Sequence, residues 1–470
     1  MTSNFIGRER ELKALNAAYA LAESQFFPIY GRRRVGKSEL IAQFMKDKAG
    51  IYYVGKRAPA DIQRKEFMGE VARCLEDPIL SELSVNDWKT CLSTAVDRWE
   101  RKGKLILVLD EFQWICGASP ELPSVIQDCW DKTWSKSGNL FLILCGSYIG
   151  FMERMVLGRK SPLYGRRTGQ VHLHSFNYQS AGEFHPNYSL IDKARTYFIC
   201  GGIPLYLKCF DSKKSVERNI QDVLMDEFAP LYGEPAFLLR EELREVENYY
   251  AILLSVASGQ TRHQDIARFA GMKPASLHYY LEQLVVLGYL ARRFPLTSKK
   301  PNPRDVRYVL DDPLIRFWFR FIYPNNSYIL RARAKDAFNA RVEPQLQSYF
   351  GSCFERLCRE ALPFLYLEEG VQATFEVGEY WSADSQIDVI GLRDDGWTDL
   401  GECKWSTRIH AKQVERELDM KVSSYPNPKN ATIGKRIFTE QSRPEAASDR
   451  VVWHSLEDMY VAVRQNERSE

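Results

Sequence analysis

Gly31-Arg-Arg-Arg-Val-Gly-Lys-Ser38 has the residue types and spacing of a phosphate cradle, fitting G-x-x-x-x-G-K-[ST] at every fixed position. In such a loop the backbone N–H groups and the start of the following helix face the phosphates. Lys37 reaches the β/γ oxygens and Ser38 supplies an oxygen to Mg²⁺. Gly31 and Gly36 allow backbone conformations that a side chain would obstruct. Arg34, Val35 and Glu39 complete the segment expected around the nucleotide. Asp110 and Glu111 form a second set, closing an apolar run. Asp110 would hold Mg²⁺, directly or through water, and Glu111 would polarise the attacking water. A third set lies far downstream, where Asp388 is followed by Glu402 and Lys404. Strand alternation puts Ile387 and Val389 on one face and Asp388 on the other. It also puts Glu402 and Lys404 on a shared face, with Cys403 pointing away. Opposed strands would bring Asp388, Glu402 and Lys404 together.

These groups act only where particular elements hold them. The run at 26–30 reads as a strand entering the glycine loop, and 39–45 as the helix leaving it. A second strand is predicted at 50–54, with charged helical stretches around 60–74 and 88–101. At 104–112 an apolar run ends in Asp-Glu, the pattern of a fully buried parallel strand. Another such strand, 140–147, ends at Ser147, which is also a good helix N-cap. The 470 residues suggest roughly three domains. Hydrophobic content of 45% and charged content of 27% are ordinary for globular protein, and a net charge of +3 points to no partner by itself. The ten cysteines show no C-x-x-C spacing, so buried free thiols in a reducing compartment are expected and structural zinc is not. No apolar leader is visible, and no apolar run approaches the ~20 residues of a membrane span. The expected location is cytoplasmic.

The opening Phe5-Ile-Gly-Arg-Glu-Arg-Glu-Leu12, ahead of the glycine loop, resembles the archaeal-type ATPase family, P-loop ATPases related to the AAA+ and STAND groups. The resemblance implies ATP and Mg²⁺ as cofactors. It implies an opening segment packed near the adenine, carried here by Phe5, Ile6 and Arg8. It places Ser147 beside the γ-phosphate. From Ser161-Pro-Leu-Tyr-Gly-Arg-Arg-Thr168 it offers Arg166 or Arg167 as an arginine closing on the γ-phosphate, in cis or from a neighbour. Pro204, in Cys200-Gly-Gly-Ile-Pro-Leu-Tyr206, resembles the lid proline that touches base or sugar. Plainer readings stand beside these: an amphipathic first helix, a cap at Ser147, a solvated arginine pair, and a helix stop at Gly-Gly. Leu310-Asp-Asp-Pro-Leu-Ile-Arg-Phe-Trp-Phe-Arg-Phe321 resembles the segment that follows the ATPase in this family, and its aromatic density suggests core or interdomain packing.

From about residue 241 the character changes. A short apolar helix at 249–256 is followed by two helices across a Gly-Met-Lys turn, then a strand, a polar loop and a second strand. The order reads as a winged helix-turn-helix with its wing at 296–304. Residues 259–335 carry 14 Lys+Arg against 5 Asp+Glu, and Arg292, Arg293, Lys299, Lys300, Arg304 and Arg307 flank the wing. Phosphate contact is expected there. Base reading has little behind it beyond Lys273, Ser276 and His278. Protein docking and lid roles stay open for the same module.

The third unit begins beyond residue 345 with a helix bearing Glu355. Helix-Glu, strand-Asp, hairpin and strand E-x-K, in that order, resemble PD-(D/E)XK nucleases. That resemblance gives metal roles to Glu355, Asp388 and Glu402, for Mg²⁺ or Mn²⁺, and the catalytic role to Lys404, with Gln413 near substrate. The expected fold is therefore α/β, with a P-loop ATPase domain and helical lid over 1–235, a winged helix-turn-helix and aromatic linker over 240–335, and a PD-(D/E)XK-like domain over 340–470. The expected function is an ATP-binding and ATP-hydrolysing protein that binds DNA and couples nucleotide state to the C-terminal site. The alternative is a STAND-like signalling or defence switch whose nuclease-like domain only binds. A homo-oligomer and a protein partner stay open. Arg32, Arg33 and Arg34 are expected to point away from the phosphates, as a solvated or domain-docking edge.

Overall fold

In a computed structural model, which describes residues 5–101, 103–297, 302 and 305–462, the unbroken apolar runs of the N-terminal half form a five-stranded sheet. Its strands are β1 (Gln25–Tyr30), β2 (Gly50–Val54), β3 (Leu105–Asp110), β4 (Leu140–Gly146) and β5 (Val171–His172). They lie in the order β2-β3-β4-β1-β5, with every pairing parallel. β1, β3 and β4 are buried along their whole length. Helices cover both faces of such a sheet, so the strands show no polar alternation. Phe26, Leu107 and Leu142 pack with Phe67 and Trp88 from the helices Ala60–Leu75 and Trp88–Asp97. This second helix stops at Asp97, short of the predicted end. The parallel topology sets the carboxyl ends of β1, β3 and β4 side by side, where ligands of such sheets bind.

The chain divides into two compact units, Met1–Ser175 and Phe176–Glu470. The second unit opens with helices, from Tyr178–Gly182 to Glu234–Glu242. Three more follow, Val246–Ala257, His263–Phe269 and Pro274–Val286, and then an antiparallel pair, β6 (Leu290–Arg293) with β7 (Arg307–Leu310). Leu277, Leu281 and Leu284 make one buried stripe at helical spacing, with Ile252, Leu253 and Ile266 buried on the other two helices. Lys299, Lys300 and Arg304, from the expected wing, lie outside the described residues. In the aromatic segment, Asp312 caps the helix Pro313–Phe317 by accepting from the Ile315 N–H at 2.8 Å. Phe317, Trp318, Phe319 and Phe321 are buried, so these rings are core and not a base-stacking platform.

The last sheet is mixed, in the order β12-β11-β10-β9-β8. It is built from β8 (Phe375–Trp381), β9 (Gln386–Arg393), β10 (Trp397–Lys404), β11 (Thr432–Thr439) and β12 (Val452–His454). β8, β9 and β10 meander antiparallel, while β11 and β12 run parallel to β10. The crossover from β10 to β11 carries the helix Ala411–Ser424, as a parallel connection requires. The long helix Glu343–Glu368 packs on β9 and β10 and buries Phe350, Phe354, Leu357 and Ala361.

Candidate functional site

The glycine loop leaves β1 and passes directly into the helix Lys37–Met45, whose N-cap, Gly36, has the left-handed φ of 92°. A Cβ on Gly31 would sit 2.2 Å from the Leu173 carbonyl oxygen, so only glycine fits there. Lys37 is buried, and its Nζ donates to the carbonyl oxygens of Gly31 and Arg32, each at 2.9 Å. Burial lowers its pKa, and nearby groups including Glu111 and Asp110 act in the opposite direction. Ser38 Oγ donates to Asp110 Oδ2 at 3.0 Å, and Glu111 N donates to Asp110 Oδ1 at 2.8 Å. A hydroxyl and a carboxylate held this closely form a hard oxygen pair suited to Mg²⁺. Val35 is buried, whereas Arg34 and Glu39 are exposed.

Ser147, at the end of β4, donates to Glu111 Oε2 at 2.9 Å. Gln113 Nε2 reaches both the Glu111 carboxylate and, at 3.2 Å, Ser147 Oγ. Glu111 itself sits in the left-handed region, φ 48°, which turns the chain sharply out of β3. Arg8 ties the opening segment to the loop. Its guanidinium donates to the Val35 carbonyl at 3.3 Å and to the His174 carbonyl at 2.5 Å. Phe5 and Ile6 beside it are half-buried. Arg166 makes a bidentate pair with Asp131, 2.8 Å at each oxygen, while Arg167 is exposed. Pro204 lies in the second unit, at the first turn of the helix Pro204–Cys209.

The downstream set does converge. β9 and β10 pair as far as Val389 with Gly401, so the next step along both strands sets Asp388 opposite Glu402. Asp388 Oδ2 accepts from the Cys403 N–H at 3.0 Å. Lys404 Nζ lies 3.0 Å from Glu402 and 3.0 Å from Glu417. Lys421 also pairs with Glu402. From the long helix, Glu355 faces Asp388 and Glu402 closely enough to feel both. Burial, then Asp388, pushes its carboxyl up to about 8; burial, then Glu402, pushes Asp388 up to about 6. Facing carboxylates that resist ionising suit a divalent cation. Among the described residues no three His, Cys, Asp or Glu side chains already form a ligand cluster.

Four partners carried no assignment from the sequence. Tyr52 donates to Asp110 Oδ2 from the neighbouring β2, and only strand pairing reveals it. Gln113 stands two residues past Glu111, a spacing that carries no signal by itself. Glu417 and Lys421 continue from Gln413 at intervals of four along the helix Ala411–Ser424, a stripe visible in the sequence. Gln413 Nε2 donates to Glu417 Oε1 at 3.0 Å.

Residues 5–210 match a family described as an ATPase domain predominantly from Archaea, and residues 318–416 a family of archaeal and bacterial proteins of unknown function. Over 450 residues the chain is 30% identical to an uncharacterized protein of Methanocaldococcus jannaschii, covering 93% of this chain and 97% of that one. Its fold is similar to a Walker-type ATPase of Pyrococcus abyssi, with a TM-score of 0.50 at 20% identity over 67% of this chain and 96% of the other. The ORC2 protein of Aeropyrum pernix matches with a TM-score of 0.45 at 15% identity, over 71% and 97%. Among the described residues no helix is long and apolar enough to cross a membrane.

Proposed function

The chain belongs to the family of the Methanocaldococcus jannaschii protein and carries an archaeal-type P-loop ATPase domain, and from that premise we propose that it couples ATP hydrolysis to metal-dependent cleavage of DNA. In the first unit Lys37 exchanges the Gly31 and Arg32 carbonyls for the β/γ-phosphate oxygens. Ser38 and Asp110 hold Mg²⁺, and Glu111 polarises the attacking water while Ser147 and Gln113 fix its carboxylate. In the second unit the three helices and the β6–β7 pair act as a winged helix-turn-helix on the DNA backbone. Glu355, Asp388 and Glu402 are the metal-holding carboxylates of a PD-(D/E)XK-like domain, and Lys404 orients the water. When bound there, a divalent cation activates water and stabilises the leaving oxygen.

The observation that carries this reading is the placement of Lys404 3.0 Å from Glu402, with Asp388 and Glu355 facing the same carboxylate. The test is cleavage of linear, circular and single-stranded DNA with Mg²⁺ or Mn²⁺, with and without ATP. Wild type cleaves and Lys404→Ala loses cleavage by about 100-fold or more. No metal-dependent cleavage of any substrate sinks the nuclease half.

A second reading, a STAND-like switch whose C-terminal domain only binds, is favoured by one feature. Glu402 is held by both Lys404 and Lys421, so its carboxylate is already neutralised. That reading expects Glu111→Gln to change oligomeric state on ATP addition, followed by light scattering, while Asp388→Ala leaves metal binding unchanged.

A further inference from the structure

In the second unit a cavity of about 500 Å³ opens between the three-helix module and the long helix Glu343–Glu368. Among the described residues, five arginines line it: Arg293 from β6, Arg316 and Arg320 from the aromatic segment, and Arg356 and Arg359 from the long helix. Glu355 stands in the same wall.

Among the residues lining the cavity the arginines outnumber the acids, Glu355 and Glu379. Arg356 takes the Asp311 carboxylate at 3.0 Å, and Arg293 lies 3.8 Å from it. Arg359 lies 3.6 Å from Glu379 and donates to the Asp388 carbonyl at 2.6 Å. Among the described residues Arg316 donates to the Tyr349 hydroxyl at 3.3 Å and the Phe198 carbonyl at 3.4 Å, and Arg320 to the Gln345 amide at 2.8 Å. Arg359 Nε is buried with no hydrogen-bond partner. Five guanidiniums thus line the cavity beside two lining carboxylates, Glu355 and Glu379, while Asp311, Asp388 and Glu360 also act on these arginines. Burial, then Arg356 and Arg359, lowers the Arg293 pKa, which reports the same crowding. Concentrating like charges in a partly desolvated cleft costs stability unless an anion joins them.

A terminal phosphate brings about 1.5–2 negative charges, and guanidinium forks grip its oxygens in pairs. The volume lies in the ligand-pocket range of about 300–1,000 Å³, which is nucleotide-sized and too small for a duplex. We propose that this cavity holds the terminal phosphate and end nucleotide of a nucleic-acid strand, with Arg293 and Arg320 gripping the phosphate. The assignment rests on the reading of the second unit as DNA-acting, because Glu355 places the bound end beside the proposed cleavage site.

The test uses the full chain in EDTA, which prevents metal-dependent cleavage, and short labelled single strands ending in phosphate or hydroxyl. The phosphorylated end binds about tenfold tighter, and Arg293→Gln combined with Arg320→Gln removes that preference. Arg218→Gln, exposed and paired with Asp222, keeps it. Thermal melting checks the fold, and the exposed Arg320→Gln alone serves if the double variant melts early. Equal affinity for both ends, or a preference that survives the variants, overturns the proposal. So does a free nucleoside monophosphate that binds as tightly as the strand. Cleavage by wild type without end preference overturns the cavity assignment alone. End preference without any cleavage overturns the nuclease reading alone.

Discussion

Lys37 and Lys404 each stand near carboxylates at the end of a strand, and the two are held in opposite ways. Lys37 is buried and bonded to two backbone carbonyls, with its pKa lowered first by burial. Neutral carbonyls give up a cation easily, so this ammonium is ready for phosphate. Lys404 is half-buried and clamped by Glu402 and Glu417, whose hydrogen bonds raise its pKa against the opposing effect of burial. The first site is assembled by one loop and a parallel sheet edge. The second draws on the long helix, two strands and a crossover helix. A site built on backbone geometry is ready for its ligand, whereas one built on side-chain charges needs ligand or metal to rearrange its ion pairs.

The largest expected effect breaks the comparison at its first member. Lys37→Ala should cut ATP hydrolysis by about 100-fold or more, read as phosphate release, because no other group replaces that cation at the β/γ oxygens. A loss of only about twofold would mean that Lys37 stays on its carbonyls with nucleotide bound. Next, Glu111→Gln should lower hydrolysis by about 100-fold while equilibrium ATP binding persists. Lost binding would show instead that Glu111 holds the nucleotide site together.

The second member is sharpened by pH. The Glu355 carboxyl is raised from 4.5 to about 8, first by burial and then by Asp388. Between those values the unfolded chain has released this proton and the folded chain has kept it. Metal-free stability therefore falls as pH rises across that window and levels off above it. Glu355→Gln should melt a few degrees above wild type past about pH 8 in EDTA, and close to it near pH 4. Mn²⁺ affinity of the wild type should rise over the same window, because the metal needs ionised carboxylates. A wild-type melting curve flat in pH would remove the strain assigned to this cluster. The smallest effect belongs to Ser147→Ala. Losing one hydrogen bond of about 1 kcal/mol to Glu111 should slow hydrolysis about fivefold, seen in kcat with little change in KM.

Much of this was legible because the chemistry sits in contiguous strings. The glycine loop, the apolar run into Asp110 and Glu111, and the run into Ser147 each specify a buried strand and what leaves its end. β1, β3 and β4 then fall into place, since only a parallel sheet covered on both faces tolerates such sequences. The hairpin carrying Asp388, Glu402 and Lys404 was legible from strand alternation. Tyr52 on Asp110 was not, because a cross-strand partner is fixed by register and not by spacing. Nor was the pairing of Arg166 with Asp131, 35 residues away in sequence, which occupies one of the two arginines expected near the γ-phosphate.

A glycine loop between a buried strand and a helix could be read from the sequence alone, because such a loop is encoded by local conformation. Which acids and lysines share a strand face could be read the same way, because strand period is local too. Packing in three dimensions settles that Glu402 is claimed by two lysines, that Glu355 resists ionisation through burial and then Asp388, and that five arginines converge on one cavity. Those outcomes depend on distances between elements far apart in the chain. They also depend on how much water packing removes, and both are set by the whole fold.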